Sequence, residues 1–307
     1  MSKVEISIII PTYNSLNLLE QTIACLEKQS PDPQFFQTIV VDDGSTDCTS
    51  EFLHSYNGRL NLDVVVFPVN KGRAAARNSG VKKAKGKLLL FIDGDMVFNA
   101  NLVKDHLNKH SKKEAVILGK VVYSKSLPCK GYQRYIETRG PNKLPPGTPL
   151  PGRYFLSGHT SIPKAVFNDV NGFDERFREH GGEDLDLGMS LVSKGYEIIY
   201  APELLTEHLH IRELSDVLRI TRKYGNTSIP LLVVKHTELI EQMRLNWMDR
   251  KGIIGIIRQI ILSKTVYIVF KRAGFLLNNI GAPPFLYDYL VFRNYFIGYG
   301  ESLLKQV

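Results

Sequence analysis

The first two thirds of the chain alternates short, continuous apolar runs with segments of helical periodicity. Runs without polar alternation, such as Leu88–Ile92, are typical of strands buried on both faces of a largely parallel sheet. Further runs of this kind are Ile6–Ile10, Thr38–Val41, Val64–Phe67 and Ile198–Pro202. Between the runs Ile6–Ile10 and Thr38–Val41, apolar residues recur at helical spacing at Leu16, Leu19, Ile23 and Leu26. The alternation predicts a doubly wound, largely parallel α/β sheet.

Taken in chain order, the first four apolar runs are each followed by a polar loop at the carboxyl end. The loops contain Thr12 and Tyr13, then Asp42 and Asp43, then Asn70 to Arg73, and finally Asp93 to Asp95. Ligands of open α/β sheets bind at the carboxyl ends of the strands. Each loop alone fits ordinary turn or helix-cap chemistry. Four such loops at one sheet edge favour a nucleotide site. A nucleotide needs an aromatic ring against its base, a carboxylate for its base or ribose, and cations for its phosphates.

The loop Asp93-Gly94-Asp95 is a candidate metal site. Two carboxylates on a bend that glycine permits can share one hard divalent cation. The alternative is a simple turn that ends the strand, since Asp and Gly are common turn residues.

A second informative block begins after a long segment rich in Pro and Gly, residues 125–154, which predicts an irregular functional loop. Glu183 and Asp184 lie at the first turn of a predicted helix that ends near Gly195. Two interpretations fit Asp184. Its carboxylate could cap the helix or interact favourably with the helix dipole, or it could act as a general base at the mouth of the site. Further on, His208 or His210 could serve as a metal ligand or lie at the surface.

After residue 210 the strand–helix alternation stops, so we predict two domains, 1–210 and a helical region 211–307. We expect a helix near Leu214, an interruption over Tyr224–Pro230, and a basic amphipathic helix over Arg250–Leu277. This basic segment fits either a membrane interface or a helix packed on the catalytic domain with its cations in water.

Composition limits the class of protein. Hydrophobic content of 43 % and charged content of 23 % are ordinary for a soluble globular protein, while a net charge of +8 suggests an anionic partner. Three widely spaced cysteines predict reduced thiols in a cytoplasmic protein. We expect neither a signal peptide nor a conventional transmembrane helix. No nucleic-acid-binding motif accompanies the charge, so a nucleic-acid partner is not expected.

Taken together, these segments resemble the family 2 glycosyltransferases of GT-A fold over residues 4–210. The matching motifs are Pro11-Thr12-Tyr13-Asn14, Val41-Asp42-Asp43-Gly44-Ser45-Thr46-Asp47, Asn70 with Gly72, Ala76-Arg77-Asn78, Asp93-Gly94-Asp95, Asn171-Gly172-Phe173-Asp174 and Gly182-Glu183-Asp184. The resemblance implies a Rossmann-like, mainly parallel sheet with flanking helices, here followed by a C-terminal helical extension. It also implies an inverting transferase that uses a nucleotide-diphosphate sugar, most commonly UDP-linked, with Mn²⁺ or Mg²⁺.

The resemblance assigns the donor-binding residues by position. Thr12 and Tyr13 would line the base pocket, and Asp43 would hold the base. Arg73 and Arg77 would bind the diphosphate or brace the site.

The same resemblance assigns the chemistry. Asp93 would approach the ribose or the metal, Asp95 would bind the metal, and His208 would be a third metal ligand. Asp184 would be the catalytic base, with Glu183 beside it touching the acceptor.

The expected partners are a nucleotide-diphosphate sugar donor, a glycan or lipid-linked acceptor, and an anionic membrane surface. The expected location is the cytoplasm, with the protein peripheral on the inner face of the cell membrane. Two other functions remain open. A sugar-nucleotide nucleotidyltransferase would be expected to have a Gly-rich phosphate loop after the first strand, which Pro11–Asn14 does not provide. A non-catalytic nucleotide-sugar binding module would not need both Asp95 and Asp184.

Overall fold

A computed structural model describes residues 4–111, 115–179, 181–248 and 251–305. The chain divides into two compact units. The sheet unit comprises the residues up to Leu127 together with Gly140–Arg178 and Glu183–His210. The helical unit comprises Pro128–Arg139, Glu179–Gly182 and the chain from Ile211 onward. The division into domains at residue 210 stays a prediction.

The sheet unit contains a mixed sheet of eight strands among the described residues, in the order β3-β2-β1-β4-β7-β6-β8-β5. The strands are β1 (Ile6–Thr12), β2 (Gln37–Asp42), β3 (Leu62–Val66), β4 (Leu88–Ile92), β5 (Met96–Phe98), β6 (Val116–Tyr123), β7 (His159–Pro163) and β8 (Ile198–His208). Strands β1 to β4 pair in parallel, as the sequence predicts. Strand β7 is antiparallel to β4 and β6, and β5 is antiparallel to β8.

Both faces of the central strands are buried, which explains their continuous apolar runs. In β4, Leu89 and Phe91 belong to one apolar core, while Leu90 and Ile92 belong to the core on the other face. Alternate residues of a strand point to opposite faces, so a strand covered on both sides has no polar positions.

The helices are α1 (Leu16–Leu26), α2 (Thr49–Ser55), α3 (Arg73–Lys83), α4 (Leu102–His110), α5 (Gly131–Glu137), α6 (Lys164–Asp169), α7 (Glu183–Ser193), α8 (Leu214–Lys235), α9 (Leu239–Gln242), α10 (Gly252–Leu262), α11 (Lys264–Leu277) and α12 (Pro284–Leu304). Helix α5 and the helices from α8 onward belong to the helical unit. Residues 125–154 are less irregular than predicted, because they contain α5 and two short 3₁₀ helices. The tyrosines of α5 pack in a cluster with Tyr287 and Leu290. The seven-residue sequence of α5 alone does not predict this contact.

Strand β8 is longer than predicted and does not end at Pro202. Its register against β6 shifts between Gly119 and Lys120, where Ala201 and Leu205 are the successive partners on β8. Pro202 lies in the resulting bulge, so its missing N–H group costs no ladder hydrogen bond. The strand therefore continues to His208.

Helix α8 runs through the predicted interruption over Tyr224–Pro230, so that prediction is wrong. Glycines let α8 and α12 approach closely, since a Cβ atom on Gly225 would lie 2.0 Å from the carbonyl oxygen of Tyr295. A Cβ atom on Gly298 would lie 2.0 Å from the carbonyl oxygen of Arg222. Tertiary packing of this kind outweighs the low helix propensity of Gly and Pro.

The predicted basic helix over Arg250–Leu277 forms two helices, α10 and α11, bent by 46° at a break between them. The hydroxyl of Ser263 accepts a hydrogen bond from the Val266 N–H (3.3 Å) and caps α11. Arg250 lies outside the described residues. None of the described helices is by itself long and apolar enough to cross a bilayer, although the bent pair α10–α11 has the length and composition.

Candidate active site

Asp43 organises the loop that precedes α3. Its backbone N–H donates to the carbonyl of Thr12 (2.9 Å), and its two carboxylate oxygens accept the N–H groups of Lys71 (2.7 Å) and Gly72 (2.9 Å). Burial raises the pKa of Asp43, although these two N–H groups favour the charged form. Gly72 has φ +94°, and a Cβ atom there would lie 2.9 Å from the carbonyl oxygen of Arg178. Only glycine fits this loop without strain.

Asp42 is a further carboxylate beside the predicted base pocket, and the residue assignments above did not include it. It ends β2 and is fully buried, and its Oδ1 accepts the N–H of Ser45 (2.9 Å). Its Oδ2 is also buried and has no hydrogen-bond partner among the described residues. Buried polar atoms nearly always have a partner, so Asp42 Oδ2 can accept a donor from a ligand. The adjacent Asp-Asp pair is visible in the sequence, but not which of the two has the open acceptor.

The predicted ring of the base pocket is accessible. Tyr13 is 47 % exposed at the end of β1, whereas Thr12 is buried and shares a hydrogen bond with the hydroxyl of Ser15 (2.9 Å). The Asp93-Gly94-Asp95 loop lies beside them, because a Cβ atom on Gly94 would be 3.2 Å from the carbonyl oxygen of Pro11. The predicted base pocket and the carboxylate loop therefore share one sheet edge.

Arg77 joins the end of β4 to the start of α7. Its guanidinium is 1 % exposed and donates to Asp93 Oδ1 (2.7 Å), and a longer contact of 3.5 Å reaches Glu183 Oε1. Burial disfavours the charged guanidinium, but the charges of Asp93, Asp184 and Glu183 keep the pKa of Arg77 above its ordinary value. Residues separated by more than 100 positions thus meet around one buried cation.

Asp184 and Asp93 are linked through Ser157-Gly158, a dipeptide at the start of the second informative block to which the sequence analysis gave no role. The hydroxyl of Ser157 donates to Asp184 Oδ1 (2.5 Å), and the carbonyl of the next residue, Gly158, accepts the N–H of Asp93 (3.1 Å). Burial raises the pKa of Asp184, while the charge of Arg77 and the hydrogen bond from Ser157 oppose the rise. Ser157 is fully buried, and a serine before a strand has no pattern that would have revealed its role.

Glu183 has surroundings that differ from those of its neighbour. Its side chain is 4 % exposed, whereas Asp184 is only half-buried. Burial, followed by the charge of Asp184, raises the pKa of Glu183 to about 7, with Arg77 opposing. Its Oε2 is buried without a hydrogen-bond partner among the described residues. The Glu183 carboxyl group therefore faces Arg77 rather than solvent.

Asp95 and His208 face each other because β5 pairs with β8, where Met96 is opposite His208. Asp95 Oδ2 lies 3.2 Å from His208 Nε2. The Nδ1 of His208 is 2.5 Å from the carbonyl oxygen of His210. This contact holds the imidazole ring with Nε2 directed at the Asp95 carboxylate, so that one nitrogen and one oxygen can share a cation.

The donor set at this place fits a hard divalent metal. Asp95 Oδ1 is buried and has no hydrogen-bond partner in the described part of the chain, and the bond to the His210 carbonyl orients His208 as in metal sites. Asp93 uses one oxygen for Arg77, and the cations Arg77 and Arg73 bring its pKa below the ordinary value despite burial. The described residues contain no group of three or more His, Cys, Asp or Glu side chains that would hold a metal unaided. Further ligands would have to be substrate or water oxygens, as is common for Mg²⁺.

The chain belongs to glycosyltransferase family 2. The family model described as glycosyl transferase family 2 matches residues 7–170, more than half of the 307 residues. A second model, described as the N-terminal domain of galactosyltransferase, matches residues 143–214.

Relatives and solved structures agree with this class. The validoxylamine A glucosyltransferase of Streptomyces hygroscopicus subsp. limoneus is 32 % identical over 227 residues, covering 64 % of this chain and 50 % of that protein. The chain spans about half the length of the curated relatives it matches.

Two solved structures share the fold. The structure of S. aureus TarS 1-349 with UDP matches with a TM-score of 0.55 at 20 % identity, covering 99 % of this chain and 92 % of that one. The mannosyltransferase PcManGT from Pyrobaculum calidifontis, in complex with GDP-Man and Mn²⁺, matches with a TM-score of 0.60 at 16 % identity, covering 99 % and 88 %. The predicted GT-A fold is thereby confirmed, whereas the individual site residues stay predictions.

Proposed function

We propose that this protein is an inverting glycosyltransferase that moves a sugar from a UDP-linked donor to a hydroxyl group of a glycan or lipid-linked acceptor. The observation that supports the proposal best is the network around Arg77, which connects Asp93 with Glu183 and Asp184. The Asp95–His208 pair lies at the same sheet edge.

Donor binding is proposed for the ends of β1 and β2. Tyr13 is exposed and can lie against a base, while Asp42 Oδ2 is the acceptor best suited to an N–H group of the base. Asp43 then acts mainly by holding the backbone of Lys71 and Gly72 in place. Arg73 is proposed to bind the diphosphate, since its charge already acts on Asp93, Asp95 and Glu183.

The proposed cofactor is Mn²⁺ or Mg²⁺, held by Asp95 and His208 with Asp93 close by. Such an ion neutralises the negative charge that builds on a leaving diphosphate. TarS and PcManGT, whose structures contain UDP and GDP-Man with Mn²⁺ respectively, support a nucleotide-sugar site of this kind.

Asp184 is proposed as the general base. It is half-buried and so can meet an acceptor hydroxyl, and burial makes it more basic than an ordinary aspartate. As the hydroxyl oxygen attacks the anomeric carbon in line with the leaving diphosphate, Asp184 takes its proton. General-base assistance contributes about 10²–10⁴-fold to such a step. Glu183, buried against Arg77, is proposed to hold that guanidinium rather than to remove a proton.

One assay separates the transferase from the two alternative functions, the nucleotidyltransferase and the binding module, because each gives a different outcome. The protein is incubated with Mn²⁺ and a panel of UDP-, GDP- and TDP-linked sugars. We expect release of the nucleoside diphosphate from one donor class, faster with acceptor glycans present. Formation of a nucleoside triphosphate from donor and pyrophosphate would instead identify a nucleotidyltransferase. Donor binding without any release would identify a binding module.

The proposal includes a peripheral position on an anionic membrane, at the inner face of the cell membrane. Helix α10 supports it, because Ile253, Ile256, Ile257 and Ile260 are 50–77 % exposed. On a helical wheel these four side chains fall within an arc of about 100°, roughly opposite the buried Gly255. An apolar helix face turned to solvent and flanked by Lys and Arg fits a bilayer interface.

A further inference from the structure

The helical unit contains a half-open cavity of about 610 Å³ that the proposed transfer chemistry does not use. Six aromatic side chains contribute to its wall: Tyr135, Trp247, Phe285, Tyr289, Phe292 and Tyr295. Its size lies within the range of small-molecule sites, which are mostly lined by apolar and aromatic groups with a few polar ones.

The aromatic wall is held in place by contacts at its polar ends. Tyr295 donates its hydroxyl to the carbonyl of Met243 (3.0 Å), and Tyr289 donates to the carbonyl of Ile261 (2.7 Å). Trp247 packs edge-on against Phe292, with ring centroids 5.3 Å apart. These rings therefore form a fixed wall before any ligand arrives.

Polar groups of both signs complete the cavity. Asp288 is about half exposed, and its two oxygens are oriented by the Tyr135 hydroxyl and by Arg139. Arg244 lies near Trp247, with its guanidinium carbon 5.8 Å from the indole centroid. It has φ +56°, a region that non-glycine residues occupy rarely.

We propose that this cavity binds a carbohydrate, the glycan portion of an acceptor. A sugar ring has an apolar C–H face that packs on aromatic rings and a rim of hydroxyl groups that both donate and accept hydrogen bonds. Asp288 supplies an acceptor and Arg244 a donor for such a rim. The charged groups Asp288 and Arg244 would disfavour a purely apolar ligand. The proposal rests on the proposed function only in calling the glycan an acceptor.

The chain contains a single tryptophan, so its fluorescence reports on this cavity alone. The experiment titrates the full chain, without donor or metal, with maltotriose, cellotriose and triacetylchitotriose while Trp247 emission is recorded. We expect a saturable change with at least one trisaccharide. If none of the trisaccharides changes the emission at concentrations up to about 10 mM, even binding with a millimolar dissociation constant is excluded and the proposal is overturned.

Two exposed phenylalanines of the helical unit make a matched pair of variants. Phe285 lines the cavity and is 60 % exposed, whereas Phe275 is 41 % exposed and does not line it. Phe285→Ala should weaken trisaccharide binding about tenfold, as expected for the loss of one aromatic contact, while Phe275→Ala leaves it unchanged. Equal weakening by both variants would contradict the assignment.

A lipid occupant and a failed transferase proposal give different results. If monomeric dihexanoyl phosphatidylglycerol, below its critical micelle concentration, changes Trp247 emission and none of the trisaccharides does, the cavity is a lipid site and the proposal is wrong. Nucleoside diphosphate release is then measured on the same protein preparation after Mn²⁺ and the UDP-, GDP- and TDP-linked sugars are added. Trisaccharide binding without any release would refute the transferase and leave the carbohydrate site standing.

Discussion

At the scale of single residues, Arg77 shows how distant parts of the chain act at one place. A buried guanidinium needs carboxylate partners, and Asp93 and Glu183 supply them from β4 and α7. Asp184 adjoins this cluster and is partly exposed. The two adjacent carboxylates therefore differ in accessibility, which suits one of them to a structural role and the other to proton transfer.

Removing the hydroxyl of Ser157 should change the pH dependence of transfer. The hydrogen bond from Ser157 lowers the pKa of Asp184, so Ser157→Ala raises that pKa further. A base must be deprotonated, so the acid limb of the kcat/KM profile moves to higher pH in the variant. Loss of the hydrogen bond also removes the contact that positions the Asp184 carboxylate, so kcat should fall as well. Initial rates between pH 5 and 9 measure both effects.

Ser161→Ala is the control for this prediction. Ser161 is also a buried serine in the same segment, but its hydroxyl contacts His106 and His110 rather than Asp184. In the Ser161→Ala variant, the acid limb of the kcat/KM profile should stay at the same pH as in the unchanged protein. A shift of the same size in both variants would mean that Ser157 acts only through folding.

Replacing Asp95 should remove the effect of the metal on nucleotide binding. In Asp95→Ala, the carboxylate facing His208 Nε2 is lost, and with it a ligand of the proposed site. Calorimetry of UDP binding with and without Mn²⁺ measures the effect. We expect Mn²⁺ to strengthen binding to the unchanged protein and to leave binding to Asp95→Ala unaffected. Equal strengthening in both proteins would refute the assignment.

The sequence predicts part of this site and not the rest. Asp93, Asp95 and Asp184 lie in motifs whose order along the chain matches a family, so their convergence could be expected. Ser157 could not be found in this way, because its role depends on which side chain α7 brings against it. Asp42 and Asp43 are adjacent in sequence, and only the hydrogen bonds of the folded loop distinguish them.

At the scale of secondary structure elements, α8 and α12 depend on two close glycine contacts. Gly298→Ala should destabilise the helical unit, because its Cβ atom would lie 2.0 Å from the Arg222 carbonyl. Overpacking of this kind costs about 1–3 kcal/mol, against which the better helix propensity of Ala recovers about 1 kcal/mol. Urea unfolding followed by Trp247 fluorescence measures the difference.

Gly300→Ala is the matched variant on the same helix. A Cβ atom at Gly300 would meet only the flexible end of Met248, 3.0 Å away, so the helix propensity of Ala should raise the free energy of unfolding by up to about 1 kcal/mol. If both substitutions have the same effect, close approach of the two helices does not determine stability here.

These contacts also explain which elements the sequence could predict. Strands β1, β2 and β4 are buried on both faces, so their apolar runs identify them without knowledge of their neighbours. Helix α8 contains Gly225 and Pro230, which locally favour a break, and only its packing on α12 keeps it continuous. Strand β8 likewise passes Pro202 because of a bulge that no local pattern marks.

At the scale of the whole molecule, the exposed isoleucines of α10 should decide whether the protein binds membranes. Replacing Ile253, Ile256, Ile257 and Ile260 by Asn removes the apolar face and leaves the flanking cations in place. We expect the unchanged protein to float with phosphatidylglycerol-containing vesicles and the variant to remain unbound. Burial of several isoleucines contributes about 1.5–3 kcal/mol each, so the loss should be nearly complete.

Substitution of exposed apolar residues in the sheet unit is the control for vesicle binding. Phe35 and Val69 are 55 % and 63 % exposed, and replacing both by Asn should leave flotation unchanged. If the unchanged protein fails to float with anionic vesicles, the membrane part of the proposal is wrong.

The transferase proposal as a whole depends on Asp184 receiving the proton of the acceptor. The most direct measurement compares UDP release and UDP-sugar binding in the unchanged protein and in Asp184→Asn. The substitution keeps the shape and the hydrogen bond from Ser157 but removes the base, so release should fall by about 10²–10⁴-fold while donor affinity stays within about twofold. Near-normal turnover in Asp184→Asn would contradict the account.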